Sequence, residues 1–136
     1  MKRPGRIPAG LQDILRPLFP ALDLSSIRLS VGKPFFLRQG FDGMALGRRI
    51  WAPGDFYDRT PREQLSFLAH ELTHVEQYHE LGFIGFLRGY IAEYRAHRRQ
   101  GLSRTEAYHR ISFETQARNR SERVMERVEG AGSARG

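Results

Sequence analysis

Residues 60–82 read TPREQLSFLAHELTHVEQYHELG, and this stretch carries the start and stop signals of one long helix. Thr60 opens the capping box T-P-R-E, in which the threonine and the glutamate each satisfy a backbone amide at the helix start. Pro61 suits the first helical position because proline has no amide hydrogen to leave unpaired there. The sequence therefore predicts a helix that begins near Pro61, runs to about Tyr78 and ends before Gly82.

His70 and His74 lie inside this helix and belong to the pentapeptide H-E-x-x-H. Side chains four positions apart share one helix face, so both imidazoles can bind the same zinc ion. We expect the histidines to point away from the face that the helix buries, which is the apolar stripe of Leu65, Leu68, Leu72 and Val75. Glu71 lies beside the ligand face and is expected to act as general base on a zinc-bound water, whose pKa zinc lowers to about 7. The alternative is a solvated histidine pair beside an ordinary exposed glutamate.

A catalytic zinc site usually has three protein ligands and one open position, so a third ligand is needed. A second long helix is predicted from Ser103, which opens the capping box S-R-T-E, to about Val128. Glu114 lies in the middle of its apolar face, where an unpaired carboxylate is costly and a cation would stabilise it. Zinc is one such cation, and Arg118, one turn later, is the competing partner in an i,i+4 ion pair.

Glu93 and His97 form a further i,i+4 pair and are held as reserve ligands. They lie at the margin of an apolar stripe, which includes Tyr90, on a helix predicted at about Phe83 to Arg99. His79 is excluded as a ligand, because it lies about half a turn away from His70 on the first helix.

Three motifs read together resemble a known family: HELTHVEQY at 70–78, LGF at 81–83 and FETQA at 113–117. They are similar to those of small bacterial metallopeptidase-like domains of the gluzincin type, some of which are associated with extracellular contractile injection systems. The likeness runs from about residue 45 to residue 120. In that family the second motif typically reads N-P-F-E-x-x-A, so the resemblance implies that Glu114 is the third zinc ligand and that Ala117 packs against the metal-bearing helix.

Ile111 and Ser112 stand where the family commonly has Asn-Pro. Two geometries follow. Either one helix continues through this point, or a new helix begins at Ser112 and places Glu114 in its first turn. Both geometries can deliver the carboxylate to the metal.

The resemblance implies a zinc metallopeptidase with one Zn²⁺ per chain and a peptide or protein substrate. Zinc held by His70, His74 and Glu114 would polarise the scissile carbonyl, while Glu71 would take a proton and pass it to the leaving amine.

A residue that stabilises the developing oxyanion is also expected, and Tyr108, His109 and Arg118 remain open for that role. Two other function classes stay open as well. One is a catalytically silent zinc-binding scaffold or effector module, and the other is a basic nucleic-acid-binding protein.

Length and composition limit these alternatives. The 136 residues are expected to form one zincin-like domain over residues 1–129, followed by a disordered tail at 130–136 that is rich in glycine, alanine and serine. The chain has no cysteine, so a zinc site must use histidine and carboxylate ligands. The net charge is +7, but the arginines are scattered apart from one cluster near Arg98, and no nucleic-acid or membrane partner is expected.

The N-terminal region predicts a short amphipathic helix packed on the domain. Polar residues interrupt its apolar positions, so no signal peptide is expected, and no run approaches the length of a membrane span. The expected protein is soluble and cytoplasmic, unless it is exported by a route that leaves no N-terminal mark.

Apolar and polar residues alternate with a period of two before the first long helix, which predicts three short strands. Together with the predicted helices, these strands make the expected fold class α+β. The strands are expected at 27–31, at 35–37 and from Met44 to Trp51. By the family resemblance, Arg48 to Trp51 is the expected rim of a substrate cleft, and the alternative is an ordinary buried strand with Ile50 and Trp51 in the core.

Overall fold

The computed structural model describes residues 5–32 and 43–135, with side chains up to residue 130. The fold is α+β, as the sequence predicts. Four strands form one small sheet: β1 Gly5–Arg6, β2 Arg28–Val31, β3 Met44–Leu46 and β4 Arg49–Ala52. Five α-helices accompany them: α1 Ala9–Leu15, α2 Pro61–Leu81, α3 Phe83–Arg99, α4 Arg104–His109 and α5 Ser112–Arg135.

The strand order in the sheet is β1-β2-β4-β3. β2 and β4 pair in parallel, while β1 and β3 pair antiparallel to β2 and β4 respectively. The predicted strand at 27–31 corresponds to β2. The predicted run from Met44 to Trp51 is divided by a turn at Gly47, whose φ of +62° is easily adopted by glycine. The predicted strand at 35–37 lies outside the described residues, and β1 was not predicted.

The expected rim strand requires a correction. β4 is an inner strand, and its Ile50 and Trp51 are buried, with 0% and 8% exposure. The alternative of an ordinary buried strand is therefore confirmed. Among the described strands, β3 lies at the edge of the sheet beyond β4 and contacts α2.

The predicted boundaries of α2 and α3 are confirmed. The Thr60 hydroxyl accepts a hydrogen bond from the Glu63 amide at 3.2 Å, which caps the start of α2. Gly82 ends α2 with a φ of +75° and starts the connection to α3. The chain is redirected here without an intervening loop, so α3 packs back against α2.

The predicted helix from Ser103 to about Val128 is two helices. α4 ends at His109, and α5 begins at Ser112, which is the second of the two geometries expected at Ile111 and Ser112. The buried Ile111 lies between them with 0% exposure. Glu114 is therefore in the first turn of α5.

α2 is buried on more than one side. Its apolar stripe joins the core formed with the sheet, α1 and α5. Its other side is covered too, because Glu71, His74 and Gln77 are each only 6% exposed. The histidines lie outside the core cluster formed by that stripe, as expected, but their side of α2 is also buried at His74, while the His70 side chain is 25% exposed. A helix that contacts α5, α3 and β3 at once has no single buried stripe.

At the chain end, the backbone of α5 is helical to Arg135. The disorder expected for the tail at residues 130–136 stays a prediction. In the described part of the chain, no helix combines the length and the apolar character needed to cross a membrane.

Candidate metal centre

Three side chains from two helices converge on one point. His70 and His74 come from α2, and Glu114 comes from the first turn of α5. Glu114 Oε1 lies 3.2 Å from His70 Nε2 and 2.9 Å from His74 Nε2. The three ligand atoms lie within 4.8 Å of one another, so together they can hold a metal ion. We call His70, His74 and Glu114 the candidate metal centre.

Burial of the centre is uneven. His74 and Glu114 are 6% and 3% exposed, whereas the His70 side chain retains 25% of its exposure. The centre is thus shielded on the α3 side and open on the His70 side. An ion held here would have protein behind it and an approach for a further ligand in front.

Small side chains allow α2 and α5 to approach closely near the centre. Ala117 is completely buried at 0% exposure, one turn after Glu114. This burial is compatible with the packing of Ala117 against α2 that the family resemblance implies. The Gln77 side-chain amide also donates to the Phe113 carbonyl at 3.2 Å, which joins the start of α5 to α2.

Gln77 fixes the orientation of the His74 ring. Its Oε1 lies 2.8 Å from His74 Nδ1, and an amide oxygen can only accept, so the imidazole Nδ1–H donates. Neutral His74 then carries its lone pair on Nε2, the atom that faces Glu114. A hydrogen bond at one ring nitrogen that directs the other toward the ion is the usual arrangement for metal-binding histidines.

Two tyrosines border the Glu114 carboxylate. Tyr90 donates its hydroxyl to Glu114 Oε2 at 3.0 Å, and Tyr108 also interacts with this carboxylate. Burial, reinforced by the charge of Glu114, raises the pKa of both phenols far above its ordinary value, so they remain protonated donors. With Oε2 bound by Tyr90, Oε1 is the oxygen presented to the histidines.

The pKa shifts of Glu114 and His74 favour the charged form of both groups in the metal-free protein. Burial alone would raise the pKa of Glu114, but hydrogen bonds from His70 and His74 outweigh it and hold that pKa well below its ordinary value. For His74, burial disfavours the imidazolium, yet the hydrogen bond and charge of Glu114 raise its pKa overall.

Glu71 lies beside the centre, where one of its carboxylate oxygens is buried. It is buried, and among the described residues its Oε2 has no hydrogen-bond partner. Burial is the main cause that raises its pKa. A buried carboxylate oxygen without a partner is costly unless water, an ion or a ligand approaches it.

The spacing of the three ligand atoms suits a small divalent ion. Zinc binds histidine nitrogen and carboxylate oxygen at about 2.0–2.2 Å, which puts two ligand atoms of a tetrahedral site roughly 3.3 Å apart. The observed separations from Glu114 Oε1 are 2.9 and 3.2 Å. The two imidazole nitrogens would therefore need to move away from Glu114 Oε1 by only a few tenths of an ångström.

Two cavities meet at the centre. The first, which we call the polar cleft, has a volume of about 770 Å³ and runs between α2 and α5. Its wall includes Ser66, His70, His109, Arg118 and Glu122. The second, the apolar pocket, has a volume of about 240 Å³. Its wall is formed by Met44, Leu46, Tyr78, Phe86, Leu87 and Tyr90. Glu71, Tyr108 and Glu114 line both cavities.

The reserve ligands have other roles. Glu93 accepts hydrogen bonds from the backbone amide of Ser112 at 3.2 Å and from its hydroxyl at 2.6 Å, at the start of α5. His97 Nε2 lies 3.2 Å from the Arg110 carbonyl. Neither belongs to the metal-compatible group found among the described residues, and the excluded His79 is exposed and lies outside it too.

The competing partner of Glu114 is also occupied elsewhere. Arg118 donates to the His109 carbonyl at 2.5 Å and to the Thr115 hydroxyl at 3.2 Å. Among the described residues, the salt bridges of Glu114 involve His70 and His74, so the predicted i,i+4 pair with Arg118 is not observed.

The sequence interpretation missed Gln77 and Tyr90. Gln77 follows His74 by three positions, which places it on the neighbouring turn, so this contact had a local signal. Tyr90 was assigned to the apolar stripe of α3, and nothing in that pattern indicates where its hydroxyl points.

Comparison with known proteins adds no family: no protein-family model, no curated protein and no solved structure matches this chain.

Proposed function

We propose that this chain is a zinc-dependent hydrolase, and more specifically a metallopeptidase. The observation that supports it most directly is the position of Glu71. Its unpartnered buried oxygen adjoins a group of two histidines and one glutamate, at the point where two cavities meet. Two histidines and a glutamate are one of the ligand sets used by catalytic zinc sites.

The ligand types narrow the choice of ion. Calcium and magnesium prefer sites built entirely from oxygen, whereas imidazole nitrogen favours zinc and other transition metals. Two histidines and one carboxylate can also hold ferrous iron. We favour zinc because Glu71 supplies the proton-transferring carboxylate that metal-assisted hydrolysis requires.

The proposed reaction divides between the metal and Glu71. Bound zinc would supply Lewis acidity, which polarises a substrate carbonyl and lowers the pKa of a bound water to about 7. Glu71 accepts the proton released when water attacks and later transfers it to the leaving amine, which balances the hydrolysis. Its position beside the two histidines and at the junction of the two cavities suits it to this proton transfer.

Among Tyr108, His109 and Arg118, we assign the oxyanion-stabilising role to Tyr108. Its side chain lines both cavities beside Glu71, and its protonated phenol, which bonds to Glu114 in the metal-free protein, would redirect its hydrogen bond to the oxyanion. Arg118 is held by the His109 carbonyl, and His109 lines only the polar cleft of the two cavities.

The test combines metal analysis with peptide cleavage. Purified wild type is expected to bind about one zinc per chain and to cleave a random peptide mixture. Glu71→Gln should keep the zinc and lose cleavage by at least about 100-fold, because general acid–base catalysis typically contributes that much. Glu80→Gln, an exposed glutamate on the same helix, is the matched control and should retain both properties.

The other outcomes separate the alternatives. Stoichiometric zinc without any peptide cleavage would support a zinc-binding scaffold. Iron in place of zinc would overturn the hydrolase proposal. A metal-free protein that binds DNA or RNA in a strongly salt-dependent way would support the nucleic-acid class instead.

A further inference from the structure

The apolar pocket beside the candidate metal centre differs in character from the polar cleft. Its wall is built by β3, α2 and α3, and the side chains that form it are mainly apolar or aromatic. Phe86 is 4% exposed and packs against Tyr78, with ring centroids 4.0 Å apart, which makes the inner wall rigid. Met44, Leu46 and Leu87 are half-buried and lie nearer the solvent.

Size indicates what the pocket can hold. Its volume of about 240 Å³ is below the roughly 300–1,000 Å³ that is typical of pockets for drug-sized ligands. A whole cofactor would not fit, whereas one large apolar side chain would. The pocket therefore has the size and the surface chemistry of a subsite for a single residue.

Position connects the pocket to the reaction centre. Glu71, His74, Tyr108 and Glu114 line its polar end, so a side chain that fills it would place its own backbone beside Glu71. β3, which is one of the two edge strands among the described residues, supplies the opposite wall. An extended peptide can pair with such an edge and direct alternate side chains into a neighbouring pocket.

We infer that the apolar pocket selects substrates with a bulky apolar residue, such as leucine, methionine or phenylalanine, at one fixed position flanking the cleaved bond. This inference rests on the proposed peptidase function. It adds the substrate class, which follows from the pocket wall rather than from the metal ligands.

Cleavage specificity tests the inference. Zinc-loaded wild type is incubated with peptides that differ at single positions, and kcat/KM is compared for leucine and alanine. Burying the larger side chain should favour leucine at one position by about tenfold to a hundredfold. Leu87→Trp narrows the pocket and should remove most of that preference, while Leu87→Ala should extend it toward larger residues.

The matched control is Ile91→Trp. Ile91 lies one turn further along α3, is 47% exposed and does not line the pocket, so this variant should keep the wild-type preference. If wild type cleaves these peptides but has no preference for leucine, or if the preference is unchanged in Leu87→Trp, the inference is overturned.

Binding is measured separately from cleavage, so that failure of the peptidase proposal can be distinguished from failure of the pocket assignment. Calorimetry on the Glu71→Gln chain compares two peptide hydroxamates that differ only in an isobutyl or a methyl side chain. We expect the isobutyl compound to bind about tenfold to a hundredfold more tightly, and Leu87→Trp to abolish the difference. If this holds without any cleavage by wild type, the hydrolase proposal fails and the pocket assignment stands. Equal binding, including no binding of either compound, overturns the pocket assignment whatever the cleavage result.

Discussion

His74 Nε2 lies 2.9 Å from Glu114 Oε1, although 40 positions separate the two residues in the chain. Because His74 Nδ1 already donates to Gln77, this short contact requires a proton on Nε2 when no cation is present. A metal ion at the same place would replace that proton and bind both atoms. The contact therefore joins α2 to α5 either as an ion pair or as two sides of one coordination sphere.

The first prediction concerns Glu114. Replacing it with alanine removes the carboxylate that faces both histidines, and zinc affinity should fall by more than the 10- to 100-fold typical of losing an outer hydrogen-bond partner of a ligand. A competition titration with a chromogenic chelator measures the change. Equal zinc binding by wild type and Glu114→Ala would remove Glu114 from the ligand set.

The second prediction concerns Gln77, whose side chain accepts from His74 and donates to the Phe113 carbonyl next to Glu114. Gln77→Met keeps the volume but removes the acceptor for His74 Nδ1–H, so the ring loses its fixed orientation. Zinc affinity should fall by about 10- to 100-fold. Gln116→Ala is the control, because it removes a partner of the Gln77 amide at 3.0 Å and leaves the contact with His74 in place. Similar losses in both variants would contradict this role for Gln77.

Much of the helical framework could be predicted from local signals. Thr60 and Gly82 mark the ends of α2, and their effects act within one turn of the helix. The spacing of His70 and His74 likewise fixes a shared helix face without any tertiary information. For Glu114, the apolar face predicted only that the carboxylate needs a partner, and its assignment as a ligand came from the family resemblance.

The remaining features depend on contacts between distant segments. A helical wheel identifies the strongest apolar stripe of α2, but it does not show that α3 and α5 cover the side with His74. The inner position of β4 depends on its parallel pairing with β2, which is a nonlocal contact. At the break, Ser112 bonds to Glu93, which lies 19 positions earlier and cannot be recognised as its partner from local sequence.

The third prediction concerns pH. The pKa of His74 is raised in the metal-free protein, because the effect of Glu114 outweighs that of burial. Zinc binds only deprotonated histidine, so protons compete with the metal as the pH falls through this raised pKa. As the pH is lowered, the loss of zinc affinity should therefore begin at a pH above 6.5, the ordinary pKa of histidine. At lower pH the affinity should decline by about tenfold per pH unit, since one proton is displaced. Chelator competition between pH 5.5 and 8.5 measures the profile, and a constant affinity over that range would contradict it.

The fourth prediction concerns Gly43, which lines both cavities at the start of β3. A Cβ atom at this position would lie 2.5 Å from the Trp51 carbonyl oxygen and 2.6 Å from the Phe67 ring. Because the first contact is with backbone, Gly43→Ala should lower the unfolding free energy by about 1–3 kcal/mol.

Thermal unfolding of the metal-free protein checks this expectation. Gly10→Ala is the control, since an added Cβ at Gly10 of α1 would have nothing within 4 Å and alanine favours the helix. The two variants should shift the melting temperature in opposite directions. Equal melting temperatures would mean that the strand moves freely away from Phe67.

The fifth prediction separates a structural role of Glu93 from a ligand role. Its carboxylate accepts from the amide and the hydroxyl of Ser112, so it caps the start of α5 from the neighbouring helix. Glu93→Ala should lower the unfolding free energy by about 1 kcal/mol, as the loss of a helix cap typically does. Zinc affinity should fall much less than in Glu114→Ala, because Glu93 affects the metal only by holding the turn that carries Glu114. Glu122→Ala, an exposed change on α5, should alter neither quantity. If Glu93→Ala instead abolished zinc binding and left the unfolding free energy unchanged, Glu93 would be the third ligand and the contact between His74 and Glu114 would be an ordinary buried ion pair.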